Sequence, residues 1–266
     1  MGYIYLANSM PITNANIKGY IKAYLNLHYD DKGHKLAFGR KRIISGLPSD
    51  LKNKPIGDWD VSNVTNMMGL FKSMKYFNED ISKWNVSNVT DMSYMFTHAS
   101  SFNQPLGGWN VGKVTEMDGM FFGATAFNQP IGNWNVSNVI FMGAMFHSAS
   151  AFNQPLGQWN VSKVQDMHSM FSFARAFNQP IGNWDVSNVV YMKAMFYNAN
   201  AFNQPIGNWK YHESIVIDDM FKDIGQDGGK RKSKTRKTKG KQKKGKQTRR
   251  KVRKQSRRKG KKTSKK

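Results

Sequence analysis

The chain has 266 residues, no cysteine and a formal net charge of +24 at pH 7. Without cysteine, disulfide bonds, thiolate nucleophiles and cysteine-based zinc sites are excluded. The charge is concentrated in residues 230–266, which contain 23 Lys and Arg and no Asp or Glu. The composition therefore predicts a nearly neutral folded body followed by a polycationic tail.

The N-terminal residues contain no basic stretch followed by an uninterrupted apolar core, so we predict no signal peptide. No run of the sequence reaches the roughly 18 apolar residues of a membrane span. We therefore expect an intracellular protein, and nuclear, nucleolar and virion-associated locations all stay open.

A first helix is predicted after Thr13 or Asn14, either of which could cap it. Its apolar face consists of Ile17, Tyr20, Ile21, Tyr24 and Leu25. We interpret residues 1–54 as a helical cap and lead-in that cover the open end of the domain that follows, because an exposed sheet edge invites aggregation.

From Pro55 onward a unit of 25 residues recurs, and every tryptophan of the chain marks it: Trp59, Trp84, Trp109, Trp134, Trp159, Trp184 and Trp209. Such a period indicates a solenoid of stacked units. A single unit has too few apolar side chains to offset the entropy of ordering its backbone, so neighbouring units must stabilise one another.

Two spacings occur within a unit. A short strand is predicted from the L-x-x-L-x-L spacing of Ile131, Trp134 and Val136. A short helix, capped by Ser137 or Asn138, is predicted from the spacing of Val139, Met142, Met145 and Phe146. The predicted unit is thus a short strand, a turn, a short helix and a return loop.

The sequence FNQPIGNWNVSNV, followed by M-x-x-MF, resembles the BspA-like leucine-rich-repeat surface proteins, also described as mycoplasma-lipoprotein-type repeats. The resemblance covers about Pro55 to Phe221 and implies a leucine-rich-repeat solenoid that adheres to or binds a partner. Similar repeats occur in bacterial surface proteins, protists and large DNA viruses. The basic tail and the lack of an export signal make the chain more similar to the giant-virus members.

The solenoid is predicted to span residues 55–224. Its last unit is degenerate and rich in acidic residues, as expected of a polar capping unit. Residues 225–266 are predicted to form a flexible joint and a disordered tail, because the tail has no aromatic residue with which to build a core.

Most repeated positions are interpreted as structural. The methionine and phenylalanine series predict a packed core, and the Asn-Gln-Pro series predicts an asparagine ladder between neighbouring loops. The histidines occupy unrelated positions, and no motif of an enzyme, cofactor site or metal site occurs. We therefore predict a protein without catalytic residues, cofactor or metal.

Partner-binding residues should lie at positions that the repeat leaves free. Phe141 and Tyr191 are predicted to be exposed between the apolar helix positions. Asn135 and Ser137 are predicted to belong to a polar face on the strand side, the surface that leucine-rich repeats usually present to partners. The predicted partner is an unidentified protein.

The tail admits three hypotheses: non-specific binding to nucleic acid, a nuclear address, and a solubilising or membrane-surface tail. Its basic clusters are Lys230, Arg231, Lys232, Arg249, Arg250, Lys251, Arg257, Arg258 and Lys259. The sequence thus favours a non-enzymatic repeat scaffold with a nucleic-acid-binding or nuclear tail. The alternative is a surface adhesion protein whose tail contacts an anionic surface.

Overall fold

The computed structural model describes residues 11–30, 36 and 46–224. Helix α1 spans Ile17–His28, helix α2 spans Ser49–Lys52, and a 3-10 turn spans Ile56–Asp58. The chain divides into two units, Met1–Gln226 and Asp227–Lys266, and the described residues all belong to the first. The predicted joint and tail lie outside the described residues.

Helix α1 confirms the predicted N-terminal helix. Its apolar face is buried at Ile17, Tyr20, Ile21 and Tyr24, and Leu25 packs partly buried against the same core. The predicted capping residues are wrong, because the N-cap is Asn16, which makes no side-chain cap bond. Asn14 instead binds the first repeat.

The repeats form a stack of parallel rungs. Six isolated parallel bridges connect equivalent residues 25 apart, from Asn66–Asp91 to Tyr191–Val216. In each unit, alternate backbone N–H groups donate to the next unit: Met67 to the carbonyl of Asp91 at 2.8 Å, and Phe71 to that of Met95 at 2.8 Å. The solenoid-like stacking of 25-residue units is therefore present in the described residues.

The secondary structure within a unit differs from the prediction. Residues 134–136 are not a strand, and residues 139–146 are not a helix. The spacing of three and four residues between the apolar positions arises from consecutive turns. One of them is closed by the hydrogen bond from the Met145 N–H to the Met142 carbonyl at 3.2 Å. Ala144 has a φ of 56°, which is typical of the third residue of a type II turn and interrupts a helix. Between these turns, the other N–H groups are free to pair with the next unit.

The predicted helix caps consequently have other roles. Asn138 donates its side-chain amide to the carbonyl of Gly112 in the preceding unit at 2.8 Å. The side chain of Asn135 accepts from the backbone N–H of Ser137 at 3.2 Å, which forms an Asx turn.

The predicted core is confirmed. The repeated valines, methionines and phenylalanines are at most 2% exposed in the interior units. One series of phenylalanine rings stacks at 5.4–5.7 Å between units, from Phe71 to Phe221. A second series, from Phe77 to Phe202, stacks at 5.8–6.1 Å. Each rung thus places the same rings above those of its neighbour.

Two side-chain ladders connect the units. The indole N–H of Trp134 donates to the carbonyl of Leu106 in the preceding unit at 3.0 Å, and equivalent bonds recur from Trp84 to Trp209. The predicted asparagine ladder is also confirmed, since the side chain of Asn103 accepts from the N–H of Asn128 at 2.9 Å. This pattern recurs from Asn78 to Asn203.

The last unit is polar only at its rim. Glu213, Asp218, Asp219 and Asp223 are exposed as expected. The centre is apolar and open, however, with Tyr211 at 42%, Ile217 at 37% and Phe221 at 39% exposure. The expected capping unit therefore leaves hydrophobic surface uncovered, because the described residues contain no further unit.

Candidate partner-binding face

Side chains that vary between units lie along one side of the stack, in the segment of each unit that forms the parallel bridges. They form three rows, and each row consists of equivalent residues of successive units beside the buried core positions. We call them together the ladder face. Its first row is Asn66, Asp91, Glu116, Phe141, Asp166 and Tyr191; its second is Met68, Ser93, Asp118, Gly143, His168 and Lys193; its third is Lys72, Thr97, Phe122, His147, Ser172 and Tyr197.

A continuous strip of rings runs over five units. It consists of members of the third row together with His98 and Phe173, which directly follow third-row residues and which we include in the ladder face. Phe122 stacks on His147 with ring centroids 4.4 Å apart and parallel planes. His98 packs edge-on against Phe122 at 5.1 Å. On the other side, Phe173 lies 5.6 Å from His147 and 5.3 Å from Tyr197. We call these five residues the ring strip.

The ring strip is accessible to a partner. His98 is exposed, and Phe122, His147, Phe173 and Tyr197 are half-buried. Aromatic side chains of this kind are enriched at protein interfaces, since they offer a large apolar area at low conformational cost. The strip is therefore suited to non-covalent recognition.

Two buried carboxylates lie in the first and second rows of the ladder face. Asp118 and Asp166 are each 1% exposed. Asp118 accepts from the backbone N–H of Gly143 at 2.7 Å, and Asp166 lies 2.7 Å from Nδ1 of His168. The His168 ring covers Gly143, where a β-carbon would overlap with it. These contacts fix the orientation of the imidazole beside the strip.

Burial and two neighbouring imidazoles favour the neutral form of His147. Burial is the main cause that lowers the pKa of His147, and the neighbouring His168 and His98 lower it further. Neutral imidazole stacks on Phe122 without the cost of burying a charge. The ring strip is therefore mainly apolar at neutral pH.

The sequence-predicted binding residues are only partly brought together. Phe141 was expected to be exposed but is 1% exposed, because it lies within the bridged rungs between Glu116 and Asp166. Tyr191 is half-buried on the ladder face. Asn135 and Ser137 form a turn, as described above, and are not part of the ring strip.

Sequence reasoning missed the ring strip itself. Phe122, His147 and Tyr197 each follow a repeated core phenylalanine, at a position that changes from unit to unit. That variability next to an unchanging residue was the available signal. The predicted helix instead places the free positions elsewhere.

Other predicted features have separate outcomes. The basic clusters from Lys230 to Lys259 lie outside the described residues. Within residues 11–30, 36 and 46–224, no group of three or more His, Asp and Glu is arranged to hold a metal ion. No helix in that same part of the chain has the length and apolar character that a membrane crossing requires.

Comparison with known proteins identifies a matching family. The family described as "Mycoplasma protein of unknown function, DUF285" matches residues 44–151 and again residues 130–230. No curated protein and no solved structure matches the chain. The two family matches overlap and together cover well over half of the 266 residues. The chain therefore belongs to this mycoplasma-type repeat family.

Proposed function

We propose that the protein is a non-enzymatic scaffold that binds a protein partner through its ladder face. The observation that carries this proposal is the ring strip, a half-exposed row of aromatic and imidazole rings on a stack whose repeated positions serve packing. A surface that changes from unit to unit on an unchanging core is suited to the recognition of one particular partner.

A matched pair of variants tests this proposal. The double variant Phe122→Lys/Phe173→Lys places two charges on the ring strip, and Ser101→Lys places one on an exposed position of a return loop. Proteins crosslinked to the wild-type chain in cells and identified by mass spectrometry should be retained by Ser101→Lys and lost from the double variant. Equal retention by all three chains would refute the assignment to the ladder face.

As part of this proposal, we assign the stack to the leucine-rich-repeat class and the chain to the giant-virus-type members. The L-x-x-L-x-L spacing, the parallel bridges and the asparagine ladder support the first assignment, and the basic tail supports the second. An experimental structure that lacks parallel rungs 25 residues apart would contradict the repeat class.

We further propose that the tail binds nucleic acid without sequence preference and directs the protein to the nucleus or a virion. The support is its charge, because Lys and Arg release counterions from phosphates on binding. Replacing the nine residues of the basic clusters with Gln in the full chain should weaken binding to duplex DNA and flatten its dependence on salt concentration. A fluorescent fusion of the same variant should lose nuclear accumulation.

The same measurements separate the alternative function. If the full chain binds anionic lipid vesicles but not duplex DNA, the tail contacts membrane surfaces and the adhesion hypothesis is favoured. If DNA affinity and its salt dependence are unchanged in the variant, the tail proposal is wrong.

A further inference from the structure

The open end of the stack, at residues 205–224, forms a second interaction surface. We propose that this end binds an extended, positively charged segment of another protein, which adds to the stack as one more parallel rung. This inference concerns a surface distinct from the ladder face and does not depend on the ring strip.

The backbone of the last unit presents unused donors. In the preceding unit, the N–H groups of Met192, Ala194, Phe196 and Asn198 donate to the carbonyls of the last unit at 2.8–3.1 Å. The equivalent N–H groups of the last unit belong to Ile217, Asp219, Phe221 and Asp223. Within the described residues, none of these N–H groups donates to another unit. Four parallel donors at alternate residues match the pattern of a strand edge that accepts a further strand.

The side chains beside these donors are apolar. Phe221 stacks on Phe196 at 5.4 Å and is 39% exposed, whereas Phe196 is 0% exposed beneath it. Ile217 is 37% exposed, and its equivalent Met192 is 0% exposed. An added rung would cover these side chains as the last unit covers those of the unit before it.

Hydrogen-bond polarity argues against a second copy of the chain as the occupant. Two copies meeting at this end would set N–H donors against N–H donors. At the opposite end, the N-terminal segment already packs on the first unit, since Tyr24 of helix α1 lies edge-on to Trp59 at 5.4 Å and Asn14 accepts from the N–H groups of Thr65 and Asn66 at 2.9 and 3.1 Å. The occupant must therefore offer carbonyl oxygens from an extended backbone.

The charge and the exposed side chains of the open end indicate which kind of segment would bind there. Four exposed carboxylates surround the end, against the two lysines Lys210 and Lys222. A segment with positive charge complements this rim. An aromatic or long apolar side chain in the segment would stack on Phe221 and continue the ring column.

A peptide copied from the stack provides a defined probe. Residues 190–198, VYMKAMFYN, contain the carbonyls of Tyr191, Lys193, Met195 and Tyr197, which accept from the preceding unit at 2.7–2.8 Å. The fluorescein-labelled peptide should bind the full chain saturably in anisotropy measurements. Phe221→Lys should weaken that binding about tenfold or more, while Tyr76→Lys, at a similarly exposed aromatic residue, should leave it unchanged.

Hydrogen exchange gives a readout that non-specific adhesion would not reproduce. The peptide should slow exchange at the amides of residues 217, 219, 221 and 223. The amides of Met220 and Lys222, which already donate within the unit, should change little. A scrambled peptide should give no protection.

Three results would overturn the proposal. The first is no saturable peptide binding, and the second is binding that Phe221→Lys does not weaken. The third is a concentration-dependent dimer of the full chain in sedimentation that Phe221→Lys abolishes, which would make a second copy the occupant.

Discussion

Single residues hold the units at a fixed distance by bonding to the backbone of a neighbour. The indole of Trp134 and the amide of Asn103 both bind backbone groups of an adjacent unit. The Leu106 carbonyl is buried at this bond, and a buried acceptor left unpaired costs about 1–3 kcal/mol. The same residue types must therefore recur at the same place, which explains the constant 25-residue period.

Within one unit, replacing Gly132 with alanine and replacing Ala144 with glycine should change stability in opposite directions. A β-carbon at Gly132 would overlap with the backbone carbonyl of Pro155 in the next unit, so Gly132→Ala should destabilise the stack. Ala144 has a φ of 56°, a conformation that costs a non-glycine residue roughly 1–2 kcal/mol. Ala144→Gly relieves that strain, although glycine adds unfolded-state entropy.

Urea unfolding should show the difference. We expect Gly132→Ala to lower the free energy of unfolding by at least about 1 kcal/mol, and Ala144→Gly to leave it unchanged or raise it by up to about 1 kcal/mol. If Gly132→Ala were neutral, the close approach of neighbouring units at that carbonyl would be wrong.

At the scale of elements, Asn14 replaces a missing rung. In the interior, the N–H of Thr90 donates to the Thr65 carbonyl of the preceding unit at 2.8 Å. At the first unit, the Asn14 side chain accepts from Thr65 and Asn66, and it also donates to the Thr65 hydroxyl at 2.7 Å. The turn that precedes helix α1 thereby places a side-chain amide where a backbone carbonyl would otherwise lie.

Asn14→Ala should therefore loosen the first unit. We expect faster hydrogen exchange at the amides of residues 65 and 66, and a loss of about 1–2 kcal/mol in the free energy of unfolding. Asn26→Ala, at an exposed position of α1, is the matched control and should change neither. Equal effects of the two variants would indicate that Asn14 stabilises only the helix.

The ring strip should make stability depend on pH. Burial and two neighbouring histidines lower the pKa of His147 in the folded state. The unfolded chain then binds more protons than the folded chain as pH falls below about 6.5, so stability decreases in that direction. His147→Phe, which copies Phe122 of the preceding unit, removes this titration.

Unfolding measured in urea between pH 7.5 and pH 5 checks this prediction. The wild-type chain should lose more stability over that interval than His147→Phe. Parallel curves for the two proteins would show that His147 is not responsible for the dependence.

The sequence predicted the stack better than it predicted the unit. The period and the repeated Trp, Val, Met and Phe positions identified the core, because every unit buries them alike. The turn at Ala144 was not foreseen, since alanine favours a helix and its positive φ depends on bonds to the next unit. The prediction that Phe141 is exposed fails for the same reason, because the burial of Phe141 depends on the neighbouring units on both sides.

At the scale of the whole molecule, identical interfaces should make interior units interchangeable. Deleting residues 130–154 removes one complete unit and joins positions that already share a register, so that Trp159 would face the Leu106 carbonyl. Such a stack should lose one interface and remain cooperatively folded.

The urea dependence of unfolding should record the shorter stack. The m-value scales with the surface exposed on unfolding, so it should fall by roughly one seventh. Deleting only residues 130–141 is the control, because it shifts every later residue out of register and separates the indoles, asparagines and phenylalanines from their partners. We expect that chain to lose its cooperative transition. If both deletions behaved alike, folding would depend on the particular sequence of each unit and not on the period that the units share.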